Sequence, residues 1–224
     1  MDTRAGLETL PDTRRALLED LKEHGEATAD ELARRLGVTA SAVRQHLSAM
    51  QGDALVERRE VRNGPGRPRH VYRVGVAGEA LFPKAYNDLA NEVLDHIAAE
   101  DPALVDRVFE RRRRRRTEAA KARVAGKAFD EQVAELTRIL DEDGYLASWE
   151  PMAGGGYRIV EHNCAILDVA KRYGNACSAE IEFLRKTLPD ARIERVAHMM
   201  AGQHVCAYEV TAKPGTKPKR RASA

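Results

Sequence analysis

Apolar residues recur at helical spacing near the start of the chain. Four leucines at such positions predict an amphipathic helix that ends before Gly25. Thr28, with Glu31 three residues later, is a capping-box signal for a second helix over residues 29–36. Gly37 ends that helix, because glycine readily takes the left-handed conformation found at helix ends. The four leucines are Leu10, Leu17, Leu18 and Leu21.

A third helix follows at once. Its apolar positions Val43, Leu47 and Met50 fall on one face, and polar side chains fall on the other. Two helices joined by a tight glycine turn are typical of the helix-turn-helix, whose second helix lies in the major groove of DNA. Arginine donates a bidentate pair to guanine, and glutamine does the same for adenine. The predicted base readers are Arg44 and Gln45, and the predicted phosphate contacts are Thr39 and Ser41.

Two short segments after the third helix predict a β-hairpin. Residues 55–61 and 70–74 have the alternation of strands, and Asn-Gly-Pro-Gly at 63–66 predicts the turn between them. A narrow basic hairpin is typical of the wing of a winged helix, whose tip enters the minor groove where the negative potential is greatest. We expect Arg67, followed by Arg69, to make that contact. An ordinary charged surface hairpin is the alternative.

Charge is distributed unevenly along these elements. Residues 1–33 hold four Lys or Arg and nine Asp or Glu, whereas residues 34–73 hold nine arginines and three acidic residues. A local positive excess is what a phosphate-facing surface requires, although a solvated charged face has the same composition. The net charge of the whole chain is only +2, so its bulk charge does not indicate nucleic-acid binding.

Two helical segments follow the hairpin. An apolar stripe from Tyr86 to Ile97 predicts the first, after Pro83. This stripe packs either against a second subunit or within its own chain, and the reading of palindromic DNA favours a homodimer. The second segment carries six consecutive arginines, Arg111 to Arg116. The run is either an arm that grips the DNA backbone or a solvated helix with salt bridges to the acidic N-terminal segment.

The last third of the chain predicts a domain of mixed helices and strands. The triple glycine at 154–156 predicts a hairpin turn, since no helix with phosphate-binding spacing follows it. The fold class is therefore α+β. We expect helices over 129–140, 165–173 and 179–188, and strands over 145–150, 156–160, 192–196 and 205–212.

All three cysteines lie in this last third, as Cys164, Cys177 and Cys206, spaced C-x12-C-x28-C. We find no signal peptide and no run of about 20 apolar residues, so we expect a cytoplasmic protein without membrane contact, in which a structural disulfide is disfavoured. Converging thiolates predict an iron-sulfur cluster or a zinc ion. Three buried, inert thiols are the alternative. No CxxC pair is present to indicate a zinc ribbon or thiol exchange.

Two sets of motifs resemble the SufR branch of the DeoR/ArsR-like winged helix-turn-helix regulators. One is the wing GRPRHVYRV with GEALFPKAY at 78–86, and the other surrounds the cysteines, as EHNC ending at Cys164, NAC ending at Cys177 and GQHVC ending at Cys206. The resemblance covers most of the chain, from about Thr28 to Val210. It implies a homodimeric repressor of iron-sulfur cluster assembly genes, with one 4Fe-4S cluster per subunit on the three cysteines. Double-stranded DNA with a palindromic operator is its implied partner, bound in the cluster-loaded form.

The fourth cluster ligand departs from the family pattern. Related chains with a fourth cysteine have it where this chain has Ala191. His162, His198 and His204 lie near the cysteines in sequence and are the candidate nitrogen ligands. The rival interpretation is a zinc- or thiol-responsive winged-helix repressor without a cluster. We expect no enzyme, because the chain has no catalytic nucleophile arrangement and no nucleotide fingerprint.

These patterns predict four regions. They are a winged helix-turn-helix domain at 1–82, linking and dimerisation helices at 83–127, an α+β iron-sulfur sensor domain at 128–212 and a basic disordered tail at 213–224.

Overall fold

The computed structural model describes residues 5–62 and 68–214. The chain forms two compact units, Met1–Ala85 and Tyr86–Ala224, which we call the N-terminal and C-terminal units. The predicted wing-tip residue Arg67 and the tail beyond residue 214 lie outside the described residues. Among the helices of the described segments, none combines the length and the apolar character needed to cross a bilayer.

The N-terminal unit consists of helices and a small antiparallel sheet. The predicted helices and both hairpin strands are confirmed, but β1 is an additional strand that the sequence did not indicate. It pairs with β3, and the strand order is β1-β3-β2. The elements are α1 (Ala5–Glu8), α2 (Asp12–His24), β1 (Glu26–Thr28), α3 (Ala29–Leu36), α4 (Ala40–Gly52), β2 (Val56–Val61), β3 (Arg69–Val74) and α5 (Val76–Leu81).

Local signals fix both ends of α3. Thr28 and Glu31 form the predicted capping box, in which the Thr28 backbone N–H donates to Glu31 Oε2 at 2.7 Å. Gly37 has a φ of 68°, the left-handed conformation that ends α3. The sequence did not indicate the bidentate ion pair between Arg35 and the buried carboxylate of Asp20 on α2. This ion pair joins α3 to α2.

The C-terminal unit has a four-stranded antiparallel sheet with strand order β4-β5-β7-β6. Residues of α7, α8 and α10 share one buried core with the strands. The predicted strands are confirmed to within two residues, whereas α10 begins four residues before the predicted start and so includes Cys177. The elements are α6 (Tyr86–Glu100), α7 (Pro102–Val124), α8 (Phe129–Glu142), β4 (Ala147–Pro151), β5 (Tyr157–Glu161), α9 (Leu167–Arg172), α10 (Asn175–Thr187), β6 (Ala191–Ala197), the 3-10 helix Met199–Ala201 and β7 (Cys206–Ala212).

A second, smaller core lies within the C-terminal unit. It joins α6, α7, α9 and α10 through Leu94, Val105, Phe109, Ala170 and Ala176, and Cys164 and Cys177 pack against it. The predicted apolar stripe on α6 is therefore only partly buried. Its Leu94 side packs within the chain, while three large side chains on the same helix are exposed: Tyr86, Leu89 and Val93.

Two arginines of the run are paired within the C-terminal unit. Arg116 bonds to Glu180 on α10 and to Asp143 after α8, both within the C-terminal unit. The prediction of partners in the acidic N-terminal segment is wrong for Arg116, because helix packing turns its side chain toward α10. Arg113 lies 3.7 Å from Glu110 on its own helix.

Candidate DNA interface and thiol site

The recognition helix α4 presents a polar face to solvent. Its apolar face is fully buried, as predicted, at Val43, Leu47 and Met50. The Thr39 hydroxyl accepts a hydrogen bond from the Ala42 backbone N–H at 3.2 Å and so caps the helix. Ser41, Arg44 and Gln45, three of the side chains predicted to contact DNA, are exposed.

A groove of about 570 Å³ lies between α3, α4 and β3. Arg34, Arg44 and Arg69 line it together with Asp30 and Glu31. Arg44 lies 3.1 Å from Asp30, but both side chains are more than half exposed, so solvent screens this pair. Because such an exposed pair costs little free energy to break, Arg44 can leave the Asp30 carboxylate and bind a base edge instead.

Acidic side chains offset part of the positive charge that the sequence predicts for the hairpin. Arg59 is bonded to Glu26 of β1, and Arg73 is bonded to Glu57 of β2. The register of the sheet causes this, since Glu57 and Glu26 lie opposite Arg73 on its two sides. In the described part of the hairpin, Arg58 and Arg69 are the arginines without such a pair.

Three different elements bring the cysteines to one cavity in the C-terminal unit. Cys164 follows β5, Cys177 lies in the first turn of α10, and Cys206 begins β7. All three line a cavity of about 20 Å³, enough for about one water molecule. All three thiols are free. Among the described residues, no three His, Cys, Asp or Glu side chains lie close enough to share one metal ion.

Three polar side chains that line the thiol cavity have a buried atom without a hydrogen-bond partner in the described structure. These atoms are Glu161 Oε1, Arg195 Nε and His198 Nε2. Burial, with the neighbouring charge of Glu180, raises the pKa of Glu161 to about 8. Buried polar atoms are rarely left unpaired, so we expect ordered water or a bound group to complete the contacts of these three atoms.

Burial dominates the ionisation of the cysteines. It raises the pKa of all three thiols, and the charge of Cys164 adds to the increase at both Cys177 and Cys206. Arg195 opposes the increase at Cys177 and Cys206. Thiols with a raised pKa hold their protons at neutral pH, and a metal that binds them as thiolates must displace those protons.

The structure separates the three candidate histidines. His198 lines the thiol cavity, and burial followed by the charge of Arg195 lowers its pKa, which favours the neutral imidazole. His162 is exposed and its Nε2 lies 3.0 Å from Ser148 Oγ. His162 follows Glu161, the last residue of β5, but does not line the cavity as Glu161 does. His204 is exposed and does not line the cavity.

Ala191, where related chains have a fourth cysteine, lies far from the three cysteines of this chain. Ala191 begins β6, is buried in the large core and pairs with Ala212 at the end of β7. Cys206 lies at the opposite end of β7, six residues away, which is about 20 Å along a strand. Position 191 therefore does not line the thiol cavity in this fold, and the fourth ligand has to be sought elsewhere.

Helix α9 connects the thiol cavity to α6. It lies between Cys164 and Cys177 and packs on α6, the first helix after the N-terminal unit. The amide of Asn87 donates to Asp168 Oδ2 at 2.9 Å. The Asp95 carboxylate accepts a hydrogen bond from the Tyr173 hydroxyl and pairs with Arg172. A displacement of the segment between the two cysteines therefore acts directly on α6.

Sequence reasoning missed the polar lining of the thiol cavity. Glu161 lies opposite Cys206 in the pairing of β5 with β7, and Arg195 lies opposite Tyr208 in the pairing of β6 with β7. The alternation of side chains along a strand could have indicated part of this lining, because it puts Cys206 and Tyr208 on the same face of β7. Glu180 is three residues beyond Cys177 on α10, a spacing that puts both on one side of the helix.

The comparisons with known proteins identify the N-terminal unit. A family model described as a helix-turn-helix domain matches residues 12–59, which contain α2, α3 and α4. No curated protein matches the chain. The chain is similar to a crystal structure of RV1404 from Mycobacterium tuberculosis, at 18% identity over 62% of this chain and 78% of that chain, with a TM-score of 0.31. The chain is a DNA-binding transcription regulator with a helix-turn-helix domain.

Proposed function

We propose that the chain is an iron-sulfur-responsive repressor, in which Cys164, Cys177 and Cys206 hold a 4Fe-4S cluster that controls operator binding. The observation that carries this proposal is the convergence of all the cysteines of the chain on one small cavity. They come from a loop, a helix and a strand, and the intervening residues fold into separate elements. Thiolates are the ligands that iron-sulfur clusters take most often.

The residues around the thiol cavity fit such a cluster. Three thiolates supply negative charge, and the Arg195 guanidinium, with its unpartnered Nε, lies where it offsets that charge. Each cysteine of a cluster binds a different iron, so the thiols do not need the close approach that a single ion requires. A zinc ion with bonds of about 2.3 Å draws its sulfurs to within about 4 Å of each other. The rival zinc-responsive repressor therefore demands a tighter group of ligands.

His198 is our candidate for the fourth ligand. Its Nε2 is buried without a partner, and burial keeps the ring neutral, the form that binds metals. We expect His198→Ala to bind the cluster through three thiolates and to lose iron to a chelator faster than the wild type. His162→Ala and His204→Ala are matched controls, because neither ring lines the thiol cavity. Equal rates of iron loss in all three variants would remove His198 from the ligand set.

The thiol cavity also supports a route for control. A cavity that admits about one water molecule is too small for a cluster, so loading requires its walls to move apart. Cys164 and Cys177 are the two ends of the segment that carries α9, and α9 is bonded to α6. When bound, a cluster supplies a centre that responds to iron supply and oxidation. We infer that loading shifts α9 and α6 together and so favours the operator-binding state.

We place the homodimer contact on the exposed face of α6. Tyr86, Leu89 and Val93 are 70%, 56% and 48% exposed, although they are large apolar side chains on one helix. A repressor that binds two half-sites needs a two-fold axis, and a self-complementary apolar helix face supplies one. Leu89→Asp with Val93→Asp therefore yields a monomer in sedimentation, with weak operator binding. A variant that stays dimeric contradicts this placement.

Anaerobic purification with metal analysis tests the proposed function. We expect a brown protein with visible absorption and about four iron and four sulfide per chain. Cys164→Ser loses this content, while Ser178→Ala, next to Cys177, keeps it. One zinc per chain without sulfide would favour the zinc-responsive repressor. A colourless protein that cannot be reconstituted with iron and sulfide would contradict both the cluster and its role.

A further inference from the structure

The arginine run on α7 forms a charged surface that the proposed function does not use. Arg116 is paired with Glu180 and Asp143, and Arg113 lies near Glu110. The other members of the run have no carboxylate within salt-bridge distance in the described part of the chain. We call them the α7 arginine patch, which consists of Arg111, Arg112, Arg114 and Arg115.

The α7 arginine patch borders a concave surface. Arg111, Arg112 and Arg115 line a groove of about 570 Å³ with Arg116 and Ala119. Residues three and four apart on a helix are neighbours, so the patch contains several pairs of adjacent like charges. Such repulsion destabilises a helix unless an anion occupies the surface. The guanidinium group is planar and donates paired hydrogen bonds, which suits phosphate oxygens.

We propose that the α7 arginine patch binds the phosphate backbone of DNA as a second contact, separate from the recognition helix. DNA is already the partner of the N-terminal unit, so a second DNA contact by the C-terminal unit of the same chain becomes intramolecular once the helix-turn-helix has bound. Contacts to phosphates carry no sequence information, so the patch adds affinity on any sequence. An acidic segment of a protein is the competing occupant, and the test below separates the two.

The experiment uses the full chain in the cluster-free form, so its outcome does not depend on the iron-sulfur proposal. The variant carries Arg111→Gln, Arg114→Gln and Arg115→Gln together. Glutamine has nearly the helix propensity of arginine, and the change removes repulsion, so α7 remains helical. The matched control replaces three arginines that are each ion-paired in the same unit, as Arg138→Gln, Arg185→Gln and Arg192→Gln.

The readout is the salt dependence of binding to a random-sequence duplex of about 40 base pairs. Each lost phosphate contact reduces the slope of log K against log salt by about 0.9, so the triple variant is less steep than the wild type by about 2.7. The control changes the slope by less than about one contact's worth, or 0.9. Equal slopes for the variant and the control would overturn the proposal. So would a variant that binds the duplex like the wild type but no longer binds polyglutamate, because the patch would then face an acidic protein.

Discussion

Replacement of Arg116 by methionine is expected to destabilise the C-terminal unit severely. Its guanidinium donates to Glu180 Oε2 at 2.8 Å and to Asp143 Oδ2 at 2.6 Å, and it stacks 4.1 Å from the centre of the Phe183 ring. The Arg116 side chain is 16% exposed and that of Glu180 is 6% exposed, so water screens this pair weakly. The variant leaves the Glu180 carboxylate buried with Tyr145 as its remaining hydrogen-bond partner.

The size of the effect follows from that burial. Removal of one partner from a buried ion pair costs about 3–5 kcal/mol, mostly because the other charge stays buried. With a urea dependence of about 2 kcal/mol per molar, a loss of 4 kcal/mol lowers the unfolding midpoint by about 2 M. The double variant Arg116→Met with Glu180→Gln recovers much of the loss, because a neutral amide then replaces the unpaired buried carboxylate.

Fluorescence reports on this unit alone, since the single tryptophan of the chain, Trp149, lies on β4. Urea titrations of the two variants are compared with Arg192→Met, whose pair with Glu194 is exposed at 69% and 53%. An exposed pair of this kind contributes about 0–1 kcal/mol. The reasoning is refuted if Arg116→Met shifts the midpoint no more than Arg192→Met, or if the double variant is as unstable as the single one.

Three further predictions concern the DNA-binding unit and its control. Arg44→Ala weakens binding to the operator by about 1–3 kcal/mol in fluorescence anisotropy, and an equal loss on random DNA would show a phosphate contact instead of a base contact. The Thr28 backbone N–H, followed by the Thr28 hydroxyl, lowers the pKa of Glu31, so this cap stabilises α3 above the ordinary carboxyl pKa of 4.5 and is lost as pH falls through the lowered value. Glu31→Gln therefore removes this pH dependence from amide exchange in residues 29–36, whereas an unchanged pH profile would exclude the cap as its source. Asp95→Asn keeps the cluster but reduces the difference in operator affinity between loaded and cluster-free protein, and a full difference in this variant would exclude α9 and α6 as the route.

Local signals in the sequence were sufficient for the helix-turn-helix. The capping box at Thr28 and the glycine at position 37 act within a few residues, so the pattern contains the whole interaction. The strand β1 was not predictable in this way. Its three residues, Glu-Ala-Thr, carry no alternation of their own, and they are extended because β3, more than forty residues later, supplies the hydrogen bonds.

Contacts between elements that are distant in the sequence determine which of several similar side chains are buried. Six identical arginines give no periodic signal, and the packing of α7 on α10 selects Arg116. Three histidines near the cysteines looked equivalent, but the fold places His198 in the lining of the thiol cavity and leaves His162 and His204 exposed. The same reason applies to Ala191. Position 191 has the sequence spacing of a ligand, but Ala191 begins β6 at the end that pairs with Ala212, away from Cys206.

Paired affinity measurements test most directly whether the thiol cavity controls DNA binding. The same preparation is assayed on the same operator at the same salt concentration, first loaded with cluster under anaerobic conditions and then after its removal. We expect the loaded protein to bind at least about 10-fold more tightly, a coupling of about 1.4 kcal/mol. Equal affinities of the loaded and cluster-free forms would contradict the account.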